Sequence, residues 1–194
     1  NRLILNKKFE NNLLRNVSNI YNFILKGKTN SIILNYDECS YNLFKWYQQL
    51  VAESLGKNSK GVLPIISEMP RDNHSLMQLY LDGTKNCFYT FFDVNEKNSP
   101  KIKKNLIIDE FKFLKNHNLQ SIKSAQKNAT KRVFTSNKIP FRSFEITNRN
   151  EECLGELFTY FMLETILLGK LMKINPFNQP SVELIKKETK KILV

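Results

Sequence analysis

The chain has 194 residues, and its 30 lysine and arginine side chains against 18 aspartate and glutamate side chains give a net charge of +12 at neutral pH. At about 100 to 200 residues per domain, this length is enough for one domain with a sizeable core. A hydrophobic content of 41%, with 11% aromatic residues, excludes a disordered polycation.

Helical and strand patterns alternate along the chain. Apolar residues recur at helical spacing over residues 10–26, and the apolar run that follows, Ser31–Tyr36, is short enough to predict a buried strand. A helix over 43–55 and a strand over Gly61–Ser67 come next. The later predicted elements are a short helix over 76–81, a strand over Cys87–Val94, a polar helix near 110–130, a strand over Phe141–Ile146, an apolar helix over 151–172 and a last helix that starts at Pro180.

This alternation predicts an α/β fold, a three-layer sandwich in which helices cover a mostly parallel sheet, with further helices towards the C-terminal end. In such folds, ligands gather at the carboxyl ends of the strands. Candidate functional side chains are therefore expected in the loops that follow strands and at the ends of helices.

Several classes of site are excluded because the sequence lacks their motifs. The six glycines are scattered and form neither a dinucleotide-binding nor a P-loop motif. The three cysteines, Cys39, Cys87 and Cys153, match no metal or redox spacing and are typical of reduced thiols in a cytoplasmic protein. With only two histidines a metal site is not expected, and the longest apolar stretch, Leu157–Met172, is too short and too charged to span a membrane.

Most of the excess positive charge lies in residues 101–140. Five lysines recur there at helical spacing, namely Lys112, Lys115, Lys123, Lys127 and Lys131. We favour a solvated helix face, and an anion-binding stripe is the alternative. Because the chain has only six arginines, which nucleic-acid readers use for bidentate contacts, the pattern is weak evidence for a nucleic-acid partner.

Three further side chains lie where α/β folds commonly carry functional groups. Glu53 precedes the end of a helix, where it could act as a general base or pair with Lys57 four residues later. His74 follows the strand 61–67 and could be functional or could only cap and pack, whereas His117 lies among polar residues and is expected at the surface. On its own, Lys186 in the last helix would be an ordinary surface lysine.

Taken together, three segments resemble the bacterial branch of the phosphoglucose isomerase family. They are WYQQLVAESLGKNSKG, DNHSLMQLYLDG and NPFNQPSVELIKK, in the family's order and spacing. The resemblance runs from about residue 10 to residue 194. It implies the interconversion of glucose 6-phosphate and fructose 6-phosphate through a cis-enediolate, without a metal or organic cofactor.

The resemblance also implies roles for individual residues. Glu53 falls on the base that carries the proton between the first two sugar carbons, and His74 and Lys186 fall on the residues that open the sugar ring. Gln49 and Gln179 fall on glutamines that hydrogen-bond the substrate or its neighbours. In the family the histidine reaches the active site of the partner subunit, which implies a homodimer.

The resemblance covers only the second half of the family's architecture. Residues 1–150 correspond to its second sugar-isomerase (SIS) domain, which is flavodoxin-like, and 151–194 to a C-terminal helical segment packed on it. The family's first SIS domain carries a phosphate-binding Ser/Thr loop and a Gly-Gly-Arg segment, and this chain has no Gly-Gly. Asn178 and Ser181 are small departures within the last motif. We therefore expect a C-terminal fragment that is inactive alone.

Two other interpretations remain open. The chain could be a stand-alone SIS module that binds a phosphosugar without catalysis, or a nucleic-acid-binding protein that uses the lysines of 101–140. The family resemblance favours instead a cytoplasmic isomerase with a sugar phosphate substrate and no nucleic-acid or membrane partner.

Overall fold

A parallel sheet with helices on both faces forms the body of the molecule. The structure is a computed structural model and describes residues 6–96, 98–103 and 107–194. Its helices are α1 (Lys7–Leu25), α2 (Tyr41–Leu55), α3 (Asp72–Ser75), α4 (Met77–Asp82), α5 (Leu119–Ser136), α6 (Glu151–Leu171) and α7 (Val182–Leu193). Its strands are β1 (Asn30–Asn35), β2 (Leu63–Glu68), β3 (Cys87–Val94) and β4 (Phe141–Ile146). None of the helices in these ranges is both long and apolar enough to cross a membrane.

Asparagines begin three of the long helices. The Asn6 side chain accepts the Lys8 N–H at 3.0 Å, and the Asn150 side chain accepts the Cys153 N–H at 2.9 Å. Asn118 forms a capping box, in which its side chain accepts the Ser121 N–H at 2.8 Å while the Ser121 hydroxyl accepts the Asn118 N–H at 3.1 Å. These side chains satisfy N–H groups that have no partner within the helix, which fixes where α1, α5 and α6 start.

The strand order is β2-β1-β3-β4, and every pairing is parallel. In the centre of the sheet Ile33 of β1 faces Ile66 of β2 on one side and Thr90 of β3 on the other. The predicted α/β fold with a mostly parallel sheet is therefore confirmed. Because β1 and β2 share one direction, α2 must run back from the carboxyl edge of the sheet to its amino edge. Helix α6 starts after β4 at the carboxyl edge, and the hydrogen bond from Lys60 to the Met172 carbonyl places its end at the amino edge.

Each face of the sheet has its own core. Helices α1, α2 and α6 cover one face and α4 and α5 the other. The first core is centred on Ile33, Phe44, Leu55, Phe92 and Phe161, and the second on Leu34, Tyr89, Phe91 and Phe134. Burying such large apolar side chains from water supplies the main driving force for folding.

A buried ion pair lies within the first core. The guanidinium of Arg142 on β4 forms a bidentate pair with the carboxylate of Glu164 on α6, whose exposed fraction is 1%. Arg142 also donates to the Thr90 hydroxyl at 2.9 Å. Burial alone lowers the pKa of Arg142, but the charge and hydrogen bonds of Glu164 outweigh it, so the net pKa is raised. Burial raises the pKa of the nearby Tyr47 to about 12.

The two C-terminal helices differ in how they join this body. Leu157, Phe161 and Leu168 of α6 belong to the first core, so α6 is an integral part of the sandwich. In contrast α7, all of which is described, has no buried residue. The domain boundary placed at residue 150 stays a prediction.

The predicted polar helix near 110–130 is wrong in its first part. Residues Asp109–Leu114 form a short 3-10 helix, and α5 begins only at Leu119, after the capping box of Asn118. Both predicted strands on either side, Cys87–Val94 and Phe141–Ile146, are confirmed at their predicted bounds.

The lysines of α5 face the sheet instead of solvent. Lys123 and Lys127 lie 3.0 and 2.8 Å from the two carboxylate oxygens of Asp93, which is buried on β3. Lys131 lies 2.7 Å from a carboxylate oxygen of Glu145 on β4. The solvated face favoured from the sequence is therefore wrong for these three lysines. Since protein carboxylates already pair with them, they do not form an anion-binding stripe.

Candidate active site

The carboxylate of Glu53 is held by two glutamines from distant parts of the chain. Gln49 lies one turn earlier on α2, and its Nε2 donates to Glu53 Oε1 at 2.9 Å. Gln179, which lies between α6 and α7, donates through Nε2 to Glu53 Oε2 at 2.6 Å. The structure thus brings three of the five predicted site residues together.

The position of this cluster follows from the path of the chain. Glu53 is half-buried in the last turn of α2, and the i, i+4 spacing of a helix places Gln49 on the same side. Helix α6 ends at the same amino edge of the sheet, so the segment 172–181 lies beside the end of α2. Both amides are neutral donors, and each carboxylate oxygen keeps capacity to accept a further hydrogen bond.

Among the described contacts there is no ion pair between Glu53 and Lys57, the alternative partner that the sequence suggested. The Lys57 ammonium donates instead to the carbonyl oxygens of Asn175 at 2.7 Å and Ser54 at 3.0 Å. Burial lowers the pKa of Lys57. Glu53 is therefore surrounded by neutral amides and has no direct cationic partner among the described side chains.

His74 lies at the opposite edge of the sheet. It is exposed in α3, just after the carboxyl end of β2, whereas Glu53 precedes the amino end of the same strand. A six-residue strand spans about 20 Å. His74 and Glu53 of one chain are therefore too far apart to contact one small substrate molecule.

Asp72 fixes the turn that carries His74. Its buried carboxylate accepts hydrogen bonds from the Glu68 N–H at 2.8 Å and from the hydroxyls of Ser67 and Ser75 at 3.0 and 3.1 Å. Burial alone raises the pKa of Asp72, but these hydrogen bonds outweigh it and the net pKa is lowered. The sequence analysis does not predict this role for Asp72, although an aspartate in the first turn is a known signal for the start of a helix.

Lys186 is not joined to the glutamine cluster. Its side chain is 66% exposed on α7, and its Nζ lies 2.7 Å from Glu183 Oε1. The second predicted histidine, His117, is exposed, in agreement with its expected surface position.

A separate cavity of about 500 Å³ lies at the carboxyl edge of the sheet, where an α/β fold is expected to bind ligands. Its lining includes the apolar side chains of Leu43, Phe92 and Leu157 together with Arg149. The Arg149 guanidinium is occupied by the carboxylates of Asp37 and Glu96. No predicted site residue lines this cavity.

In the ranges that the structure describes, no three histidine, cysteine, aspartate or glutamate side chains cluster closely enough to hold a metal ion. The Glu53 cluster itself presents a carboxylate held by two amides, an arrangement that suits proton transfer.

Comparison with known proteins points to one family. The family model for phosphoglucose isomerase matches residues 2–194. A glucose-6-phosphate isomerase from Mycoplasmopsis pulmonis is 36% identical over 189 residues, which is 94% of this chain and 44% of that protein. A glucose-6-phosphate isomerase from Methanocaldococcus jannaschii is 33% identical over 174 residues, which is 86% of this chain and 41% of that protein.

Solved structures share the fold. A hypothetical protein from Thermus thermophilus superposes with a TM-score of 0.86 at 23% identity, over 94% of this chain and 45% of that chain. A glucose-6-phosphate isomerase from Chlamydia trachomatis gives a TM-score of 0.71 at 14% identity, over 86% of this chain and 35% of that chain. The present chain thus spans less than half the length of these relatives.

Proposed function

Because the chain belongs to the phosphoglucose isomerase family, we propose that it supplies the base of an aldose–ketose isomerase that interconverts glucose 6-phosphate and fructose 6-phosphate. The observation that carries this proposal is the Glu53 carboxylate, which two amides orient from both sides. A carboxylate that neutral donors hold in place is suited to take a proton from carbon and return it.

The proposed reaction moves one proton between neighbouring carbons. Glu53 takes the proton from C2 of the open-chain aldose, the electrons of the C–H bond form the C1–C2 double bond, and the electrons of the C1 carbonyl move to O1, which gives a cis-enediolate. The proton of the O2 hydroxyl passes to O1, so the negative charge moves to O2. Glu53 then returns its proton to C1 while O2 forms the ketone carbonyl and O1 stays a hydroxyl. Gln49 and Gln179 keep the carboxylate in the orientation that both steps need.

His74 and Lys186 are proposed to act before this proton transfer, by exchanging protons with the oxygens of the sugar ring. Neither contacts Glu53 within this chain, and His74 lies about one strand length away. This separation supports a homodimer in which His74 of one copy serves Glu53 of the other. The free state of the three cysteines supports the cytoplasm as the place of action.

The proposal is tested in the full-length protein with Glu53→Gln, which keeps the shape of the side chain and removes the base. We expect the turnover of fructose 6-phosphate to fall by about 10² to 10⁴-fold while substrate binding persists. Glu10→Gln, at an exposed position in the first turn of α1, serves as the control and should leave turnover unchanged.

A loss of less than about tenfold in Glu53→Gln would rule out Glu53 as the base. If the wild-type full-length protein binds sugar phosphates tightly but does not isomerise them, the chain belongs to a phosphosugar-binding module and the catalytic proposal fails.

A further inference from the structure

We infer that Lys57 is a positioning residue for Glu53: it ties the segment 172–181 to the end of α2, and so holds Gln179 against the Glu53 carboxylate. The structural part of this inference depends only on contacts within the chain. Its kinetic part rests on the proposed function.

Lys57 bridges two pieces of backbone. The Ser54 carbonyl lies in the last turn of α2, where carbonyl groups have no partner within the helix, and a cation at this end is also favoured by the helix dipole. The same ammonium reaches the Asn175 carbonyl at 2.7 Å, across 118 positions of sequence. One lysine thus connects the end of α2 with the loop that follows α6.

The backbone on the far side of this bridge is well anchored as far as residue 177. Lys60 donates to the Met172 carbonyl at 3.2 Å, and the buried Ile174 donates its N–H to the Gly169 carbonyl at 2.8 Å. Pro176 packs over Gly169 so closely that a Cβ at position 169 would lie 3.3 Å from the proline ring. The Asn175 side chain accepts the Phe177 N–H at 2.9 Å.

Beyond this anchored stretch the chain is exposed. All residues from Phe177 to Ser181 are exposed, and the one side-chain hydrogen bond described for Gln179 is the bond to Glu53. The position of Gln179 is therefore set by the backbone before it, which Lys57 fastens at Asn175.

The choice of carbonyl partners has a chemical consequence. If Lys57 paired directly with Glu53, its positive charge would stabilise the ionised carboxylate. Glu53 would then be a weaker proton acceptor. Because Lys57 binds carbonyls, it can organise the site through Gln179 while the carboxylate stays free to accept a proton.

The experiment uses full-length protein carrying Lys57→Met, Lys57→Arg or the control Lys170→Met. Lys170 is exposed in the last turn of α6, at the same edge of the sheet. Hydrogen exchange is followed at the backbone amides of Ile174 and Phe177. We expect exchange about tenfold faster in Lys57→Met than in Lys170→Met, with Lys57→Arg close to wild type.

The kinetic arm is a double-mutant cycle with Gln179→Ala. Lys57→Met alone should lower kcat about tenfold with KM nearly unchanged, because a displaced base loses an interaction made in the transition state. In a Gln179→Ala background Lys57→Met should change kcat by less than about twofold, since both substitutions remove the same contact.

Unchanged exchange at Ile174 and Phe177 would overturn the inference. So would a loss of kcat in the double variant that equals the product of the two losses in the single variants. Unchanged exchange in the central strands serves as the check that Lys57→Met has folded. If the wild-type protein shows no isomerase activity, the proposed function fails, and the exchange data still decide whether Lys57 anchors the segment.

Discussion

The two edges of the sheet carry different halves of the predicted catalytic machinery. At the amino edge, Glu53 is held by the neutral amides of Gln49 and Gln179. At the carboxyl edge, His74 sits exposed on a short turn that is fixed by the buried carboxylate of Asp72. The sheet lies between Glu53 and His74, so one copy of this chain does not bring both side chains to one small molecule.

The strongest way to test this division is to mix two inactive full-length variants, Glu53→Gln and His74→Ala. If each active site combines Glu53 of one copy with His74 of another, a mixed dimer contains one intact site. Random exchange of subunits should then restore about a quarter of the wild-type activity. The assay is the isomerisation rate before and after the subunits are exchanged. Activity that stays at the sum of the two parents would mean that both residues serve the same site within one chain.

The buried ion pair of Arg142 and Glu164 lies in the first core, between the two edges of the sheet. The stability of the fold should be sensitive to the loss of one of these two charges. Glu164→Leu leaves the Arg142 guanidinium buried without its carboxylate, and we expect a loss of about 3 to 5 kcal/mol in the free energy of unfolding. The double variant Arg142→Met/Glu164→Leu should recover most of this loss because no unpaired charge remains. Denaturant unfolding measures both, and equal destabilisation of the single and double variants would contradict this account.

A smaller, pH-dependent effect is expected at the carboxyl edge. The pKa of Asp72 is lowered in the folded protein, so its carboxylate stabilises the fold above its unfolded pKa of about 4, and this contribution is lost as the pH falls through the folded pKa. Asp72→Asn should cost about 1 to 2 kcal/mol at pH 7, and its difference from wild type should shrink below about pH 4. Urea unfolding at a series of pH values measures this, with the exposed Asp82→Asn as the control. A difference that stays constant down to pH 3 would show that the charge of Asp72 is not responsible.

Local patterns were enough to predict the elements of the sheet. The strands Cys87–Val94 and Phe141–Ile146 were predicted at their observed bounds because short apolar and aromatic runs are bounded there by polar or turn-forming residues. The start of α5 was missed although its signal, the capping pair Asn118 and Ser121, is present in the sequence.

Contacts between distant segments could not be predicted in this way. The lysine pattern of α5 defines a helix face but not what covers it. An informative signal was Asp93, because a carboxylate within an apolar strand needs a charged partner. The contact between Gln179 and Glu53 joins residues 126 positions apart, and only the family resemblance placed them in one site.

The strand order also determines how the chain must fold. Strand β1 lies in the interior of the sheet, and its first residue, Asn30, pairs with Leu63 on one side and with Cys87 on the other. Every neighbour in the sheet is separated by a helix-containing connection, so long loops must close before any strand pairing is gained. Pairing between strands so distant in sequence slows folding and leaves the edges of β1 and β3 unpaired for longer, during which chains can associate wrongly.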